Sequence, residues 1–232
     1  MERLLRVLCV VVVAMLISSV ASAGSLFWAS PGDWTATSFG GFYPATAPSA
    51  AAGDYSYCYT NTSAAPIVVP DGQSVSVDWM HFDYYGADHG MVINGIASFG
   101  NGSGFEGLMF GNYTSGVGGY ALITVNDNGE LHSSTMSTYG TGGDWNIVLN
   151  GGELTCISVP SSIAVDFIGD AKFTTAKSTF DALIVAGNIT ASQGGTVGIL
   201  ADGGSIATYG IVPEPATMAL LGLGALVLRR KR

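Results

Sequence analysis

Between residues 55 and 209, short runs of alternating or β-branched residues recur, broken by Gly, Asn and Asp. Side chains of a strand point to opposite faces in turn, so this alternation predicts half-buried strands. The predicted runs are Tyr55–Thr60, Ser74–Trp79, Met91–Phe99, Ala121–Val125, Trp145–Leu149, Glu153–Ser158, Ala164–Ile168, Ala182–Ala186, Val197–Leu200 and Ser205–Tyr209. Between them stand Asn126-Asp127-Asn128-Gly129, Asn150-Gly151-Gly152, Gly187-Asn188 and Asp202-Gly203-Gly204. These residue types supply the backbone conformations of tight turns. No stretch carries a capped helical stripe, and only Asp170 to Phe180 fits either reading.

In the second half the runs start near 145, 163, 182 and 197, a spacing of roughly 15 to 20 residues that suits a stacked solenoid. The expected fold is all-β: a short right-handed parallel β-helix with an N-terminal cap. A β-sandwich or jelly roll is the alternative. The cysteines separate the two. Cys9 belongs to the N-terminal segment, leaving Cys58 and Cys156. With coils of about 20 residues they lie about five coils, near 24 Å, apart. A disulfide needs Cα atoms within about 7 Å. The solenoid therefore implies two free thiols, whereas a sandwich permits a bond.

Both ends differ from this middle. Arg3 and Arg6 precede the apolar stretch Val7 to Ile17, and Ala21-Ser22-Ala23 follows. That order is a signal peptide, with Ala21 and Ala23 as cleavage determinants and Gly24 as the mature start. At the other end Pro213-Glu214-Pro215 halts regular structure, Ala216 to Leu228 is apolar, and Arg229, Arg230, Lys231 and Arg232 follow. As a helix the apolar run is about 20 Å long, against a bilayer core of about 30 Å. Four adjacent cations suit a cytoplasmic end rather than a core, and snorkelling shortens the mismatch. A single, marginal transmembrane helix is expected there. The chain thus divides into a signal peptide (1–23), an exported domain (24–211) and a tail segment (212–232).

Removing the ends exposes a charge imbalance. The whole chain carries -9, yet six of its eight cations lie in the end segments, so the body holds fifteen acidic residues against Lys172 and Lys177. Such a surface repels phosphates and excludes nucleic acid as a partner.

The tail resembles the PEP-CTERM sorting signal of bacterial exported proteins, a region also known as the ice-binding protein C-terminal domain. The resemblance rests on the order of Pro213-Glu214-Pro215, apolar run and basic end. It implies signal peptidase and an exosortase-type enzyme as processing partners. The cut would fall near the Pro-Glu-Pro triplet after an inner-membrane stage, and the body would reach the cell surface or exterior. The body's opening looks like that of exported, PEP-CTERM-bearing β-solenoid proteins: Trp28, Gly32-Asp33-Trp34, Pro44 and Pro48, Gly53-Asp54, then Val75-Ser76-Val77. Asn128-Gly129-Glu130-Leu131 and Asn150-Gly151-Gly152-Glu153-Leu154 resemble later rungs of such proteins.

The densest chemistry is Asp78-Trp79-Met80-His81-Phe82-Asp83, then Asp88-His89. On one strand His81 and Asp83 would share a face, as two ligands of one metal would, and two of the acids suit glycoside cleavage. Loop and turn roles explain the same residues, and His132 is 43 residues beyond His89. Asn126 to Glu130 lacks the EF-hand pattern and reads as a turn. Gly100 to Gly104 has no Lys and no following helix, so it is no phosphate loop. The pairs Thr35/Thr37 and Thr60/Thr62 do not build the repeated threonine column that ice would need. No catalytic, cofactor-binding or metal residue is assigned, and no cofactor is expected. The expectation is a non-enzymatic structural or adhesive surface protein, associated with extracellular polysaccharide. Its alternatives are a carbohydrate-binding module using Trp79, Tyr84 and Tyr85, and a polysaccharide-cleaving β-helix enzyme using Asp78, Asp83 or Asp88.

Overall fold

The computed structural model describes residues 26–29, 32–35, 54–58, 63–82, 88–100, 107–111, 119–140 and 142–212. The signal peptide, the Pro-Glu-Pro triplet, the apolar run and the basic end lie outside these residues. So do Asp83, Tyr84, Tyr85 and the Pro44–Pro48 loop.

The chain visits three sheets in rotation. β1 (Leu26–Ala29) and β2 (Gly32–Asp33) begin the first turn. The next is β3 (Tyr55–Cys58), β4 (Ile67–Val69) and β5 (Ser74–Val77). Then come β6 (Trp79–Phe82), β7 (Asp88–Ile93) and β8 (Ile96–Phe99), followed by β9 (Gly107–Phe110), β10 (Tyr120–Asn126) and β11 (Glu130–Ser133). The fifth turn is β12 (Met136–Thr138), β13 (Asp144–Asn150) and β14 (Glu153–Cys156). The last has only β15 (Ile163–Ile168) and β16 (Lys172–Ala176), and leads into helix α1 (Lys177–Val185), β17 (Ile189–Thr190), β18 (Thr196–Asp202) and β19 (Ile206–Val212).

Each strand pairs with its counterpart one turn earlier. The first sheet runs β1-β3-β6-β9-β12, the second β17-β15-β13-β10-β7-β4-β2, and the third β18-β19-β16-β14-β11-β8-β5. The pairings are parallel except where β19 meets β16 and β18. A sandwich of antiparallel sheets does not produce that pattern.

Register stacks like on like. Met91, Ile123, Ile147 and Val165 form one inward row, and Ala97, Leu131, Leu154 and Phe173 another. All eight are at most 1 % exposed. Each fully buried large side chain contributes about 1.5–3 kcal/mol, so these rows stabilise the second and third sheets. The rung-like segments fall in register as well: Glu130 pairs with Glu153 and Leu131 with Leu154.

Several expectations change. The stretch Ala182–Ala186, read as a strand, belongs to α1 and the turn after it. Phe180 and Leu183 are one helical turn apart and both buried, which closes the end of the core. The Met91–Phe99 run breaks at Asn94-Gly95 into β7 and β8. The repeat matches the expected spacing late in the stack, 18 residues from Trp145 to Ile163 and 19 from Glu153 to Lys172, and is longer in earlier coils, 24 from Asn126 to Asn150 and 32 from Asn94 to Asn126. Insertions at the corners lengthen a turn without disturbing the ladder. The 19-residue turn lacks a first-sheet strand.

Cys156 is free and buried, and burial pushes its thiol up to about 12. Cys58 lies on β3, whose turn is three ladder steps before β14 rather than five. Three steps are still about 14 Å, beyond disulfide reach. Among the described residues no helix is long and apolar enough to cross a membrane.

Candidate functional site

The outer face of the second sheet carries the best-defined polar surface. Along β10, Ala121, Ile123 and Val125 are buried while Tyr120, Leu122, Thr124 and Asn126 face outward. Along β13, Trp145, Ile147 and Leu149 are buried while Asp144, Asn146, Val148 and Asn150 face outward. Register sets Tyr120 between Asp88 and Asp144. It sets Asp166 between Val148 and Thr190.

These positions line an open groove of about 840 Å³ formed by Tyr120, Leu122, Asp144, Asn146, Val148, Asp166, Thr190, Ala191 and Ser192. Its polar groups are held in place. Asn146 Nδ2 donates to Asp144 Oδ1 at 2.7 Å. Thr190 Oγ1 and the Ser192 backbone N–H donate to Asp166 Oδ1 at 2.6 and 3.0 Å, and Ser192 Oγ donates to Asp166 Oδ2. Partial burial alone would raise the Asp166 carboxyl, but the Ser192 and Thr190 hydrogen bonds outweigh it and hold the carboxyl below its usual range. Partial desolvation, then the Asp144 and Asp88 charges, raises Tyr120, so its phenol stays a donor.

The groove therefore offers anionic acceptors, one phenol, small hydroxyls and an apolar strip from Leu122 and Val148, with no cation in its lining. It repels anions. It suits a neutral ligand that presents hydroxyl donors and C–H surface together.

The cluster singled out in the sequence disperses. His81 is 2 % exposed on the first sheet, and its Nε2 lies 2.5 Å from the Gly111 carbonyl oxygen. Burial, then the charge of His89, lowers its pKa against the opposing effect of the Gly111 bond. His89 is buried on the inner side of β7, in the row of Ala121, Trp145 and Ile163. Asp88, its neighbour, faces outward, where Ser63 Oγ and N donate to it at 2.8 and 3.2 Å. Asp78 sits at the corner between β5 and β6, its backbone N–H bonded to the Asp54 carbonyl at 2.7 Å. Trp79 stacks on Tyr55, with ring centroids 5.4 Å apart and 8° between planes.

Among the described residues no three His, Cys, Asp or Glu side chains gather as a metal site would require. Asp127 and Asn128 form a turn, with Asn128 at φ 65°. Asn126 instead spends its side chain on the neighbouring coils, donating to Asn94 Oδ1 at 2.8 Å and accepting from Asn150 Nδ2 at 3.0 Å.

The groove residues escaped the sequence reading because they are scattered over 72 positions from Tyr120 to Ser192. The usable signal was partial alternation, with Tyr120, Thr124 and Asn126 on one run and Asp144, Asn146 and Asn150 on the other at outward places, the two aligned at a 24-residue offset.

A family model described as the PEP-CTERM protein-sorting motif matches residues 212–232. No curated protein and no solved structure matches the chain. The motif marks export via the membrane to the cell surface or extracellular space, and processing by exosortase.

Proposed function

We propose, with the sorting motif as the premise, that this is a non-enzymatic surface protein whose body adheres to a neutral extracellular polysaccharide. The body is read as a short parallel β-helix, right-handed as parallel crossovers are. It follows a cleaved signal peptide and precedes a tail whose Ala216–Leu228 run enters the inner membrane, with Arg229 to Arg232 on the cytoplasmic side. The observation that carries the adhesive reading is the second-sheet groove. Its carboxylates accept hydroxyl donors, the Tyr120 ring and the Leu122–Val148 strip offer C–H contact, and its charge turns uronates away.

The same groove argues against hydrolysis. A general acid needs a raised carboxyl pKa, and Asp166 is shifted the other way. A stacked face of this kind suits retention in a matrix.

Two experiments test the two halves. Glu214→Ala in the producing cell should leave the tail attached and the protein in the inner membrane, read by intact mass and fractionation. Normal release of that variant would sink the sorting mechanism. Tyr120→Ala and Asp144→Asn should each weaken retention on neutral glucans or mannans about tenfold, a change of about 1.4 kcal/mol, in affinity electrophoresis. Retention that persists in both variants, or that favours uronate polymers, would remove the groove from consideration.

A further inference from the structure

Among the described residues, every exposed large apolar side chain lies at one end of the stack. Ile157, Ile184, Val185, Ile199, Leu200 and Ile206 are 38–88 % exposed, Val185 the most. They belong to the corner after β14, to α1 and to the β18–β19 hairpin. The earlier coils, among the described residues, keep such side chains covered.

These positions adjoin the point where the tail departs. Ile184 lines an open depression of about 290 Å³ with Ile189, Thr196 and Val197. Thr196 is the register partner of Val212. Only Pro213-Glu214-Pro215 then separates Val212 from the apolar run that starts at Ala216. Four residues of extended chain reach about 14 Å at most. An inserted tail therefore holds this end, and no other, against the bilayer.

We infer that the C-terminal end of the stack, α1 with β18, is a membrane-contact surface that rests on the lipid interface until the tail is cut. The inference depends on the proposed insertion of the tail. Contact comes from apolar area and not from charge. The body's two cations stand near this end, but Lys172 pairs with Glu153 and Lys177 with Asp202, so zwitterionic lipid suffices. Depth is limited too. β18 pairs with β19 alone, and its open edge of backbone groups needs water. The surface therefore settles among headgroups, as interfacial elements do. Once the tail is removed, the tether is gone.

The test uses the full chain with Cys9→Ser and Cys58→Ser, reconstituted in phosphatidylcholine vesicles that carry nitroxide lipids. A fluorophore is attached in turn at Val185→Cys, Ile199→Cys, Thr155→Cys on an earlier coil, and Leu221→Cys in the tail. Labels at 185 and 199 should be quenched at least threefold more than the label at 155. Quenching at 221 with positions 185 and 199 indistinguishable from 155 would overturn the contact surface and leave tail insertion standing. An unquenched 221 would overturn insertion itself, and the contact with it. Energy transfer between labelled copies that survives lipid dilution, without quenching at 185 or 199, would assign the surface to a second copy and overturn the lipid reading. In a supporting variant, Ile184→Asp with Val185→Asp should lower the quenching at position 199.

Discussion

His81 shows what burial does to an imidazole. Its Nε2 meets the Gly111 carbonyl oxygen at 2.5 Å, and the ring lies 6.0 Å from Trp79 and 6.1 Å from Tyr139. Burial and the nearby His89 lower its pKa, so the neutral ring with a proton on Nε2 is the folded form. The unfolded chain binds a proton at about pH 6.5 that the folded ring declines, so stability falls as pH drops below that value. The melting temperature should therefore fall between pH 7 and pH 5, and His81→Gln, which keeps a donor for Gly111, should flatten that slope. An unchanged slope in the variant would point to other groups. Little of this was legible beforehand. The sequence shows His81 beside two acids, but the partner that fixes its role is a backbone carbonyl 30 residues away.

The corner between the second and third sheets is the most regular element. Asn94, Asn126 and Asn150 stack there through side-chain bonds. The backbone continues the ladder around the bend, with Glu130 N–H bonded to Gly95 O at 2.8 Å and Glu153 N–H to Gly129 O at 2.9 Å. Coils approach so closely that a Cβ on Gly129 would overlap the Ile93 carbonyl oxygen. Asn126→Ala removes two side-chain hydrogen bonds and should lower stability by about 1–3 kcal/mol, read as a lower urea midpoint. Wild-type stability in that variant would mean that the stacked amides are incidental. The Asn and Gly were visible in the sequence as turn residues. That the turns lie on top of one another was not, because alignment depends on coil lengths that vary from 18 residues between Trp145 and Ile163 to 35 between Gly32 and Ile67.

For the molecule as a body, charge sets the response to salt. Fifteen acidic residues face two lysines between the end segments. Both lysines are engaged in exposed ion pairs, which solvent and salt screen so that they contribute little. Like-charge repulsion spread over the stack opposes compaction and is screened by electrolyte. The melting temperature should rise when sodium chloride goes from about 10 mM to about 0.5 M, where the Debye length shrinks from tens of ångströms to a few. A fall would show that the ion pairs outweigh the repulsion. The same acidity bears on partners, since it disfavours nucleic acid and uronates at long range before any groove is considered.

Alternation, turn residues, charge and the Pro-Glu-Pro tail are local in the chain, so strand content, acidity and the sorting motif could be read there directly. The split of Met91–Phe99 at Asn94-Gly95 and the helix in place of a strand over Ala182–Val185 could not. A short apolar run is compatible with either state until a neighbouring coil presents or withholds a ladder, and at the end of the stack Phe180 and Leu183 had a core to cover instead. The groove is likewise a product of register. Tyr120, Asp144 and Asp166 become neighbours because parallel rungs bring distant residues side by side, and no local pattern encodes that distance.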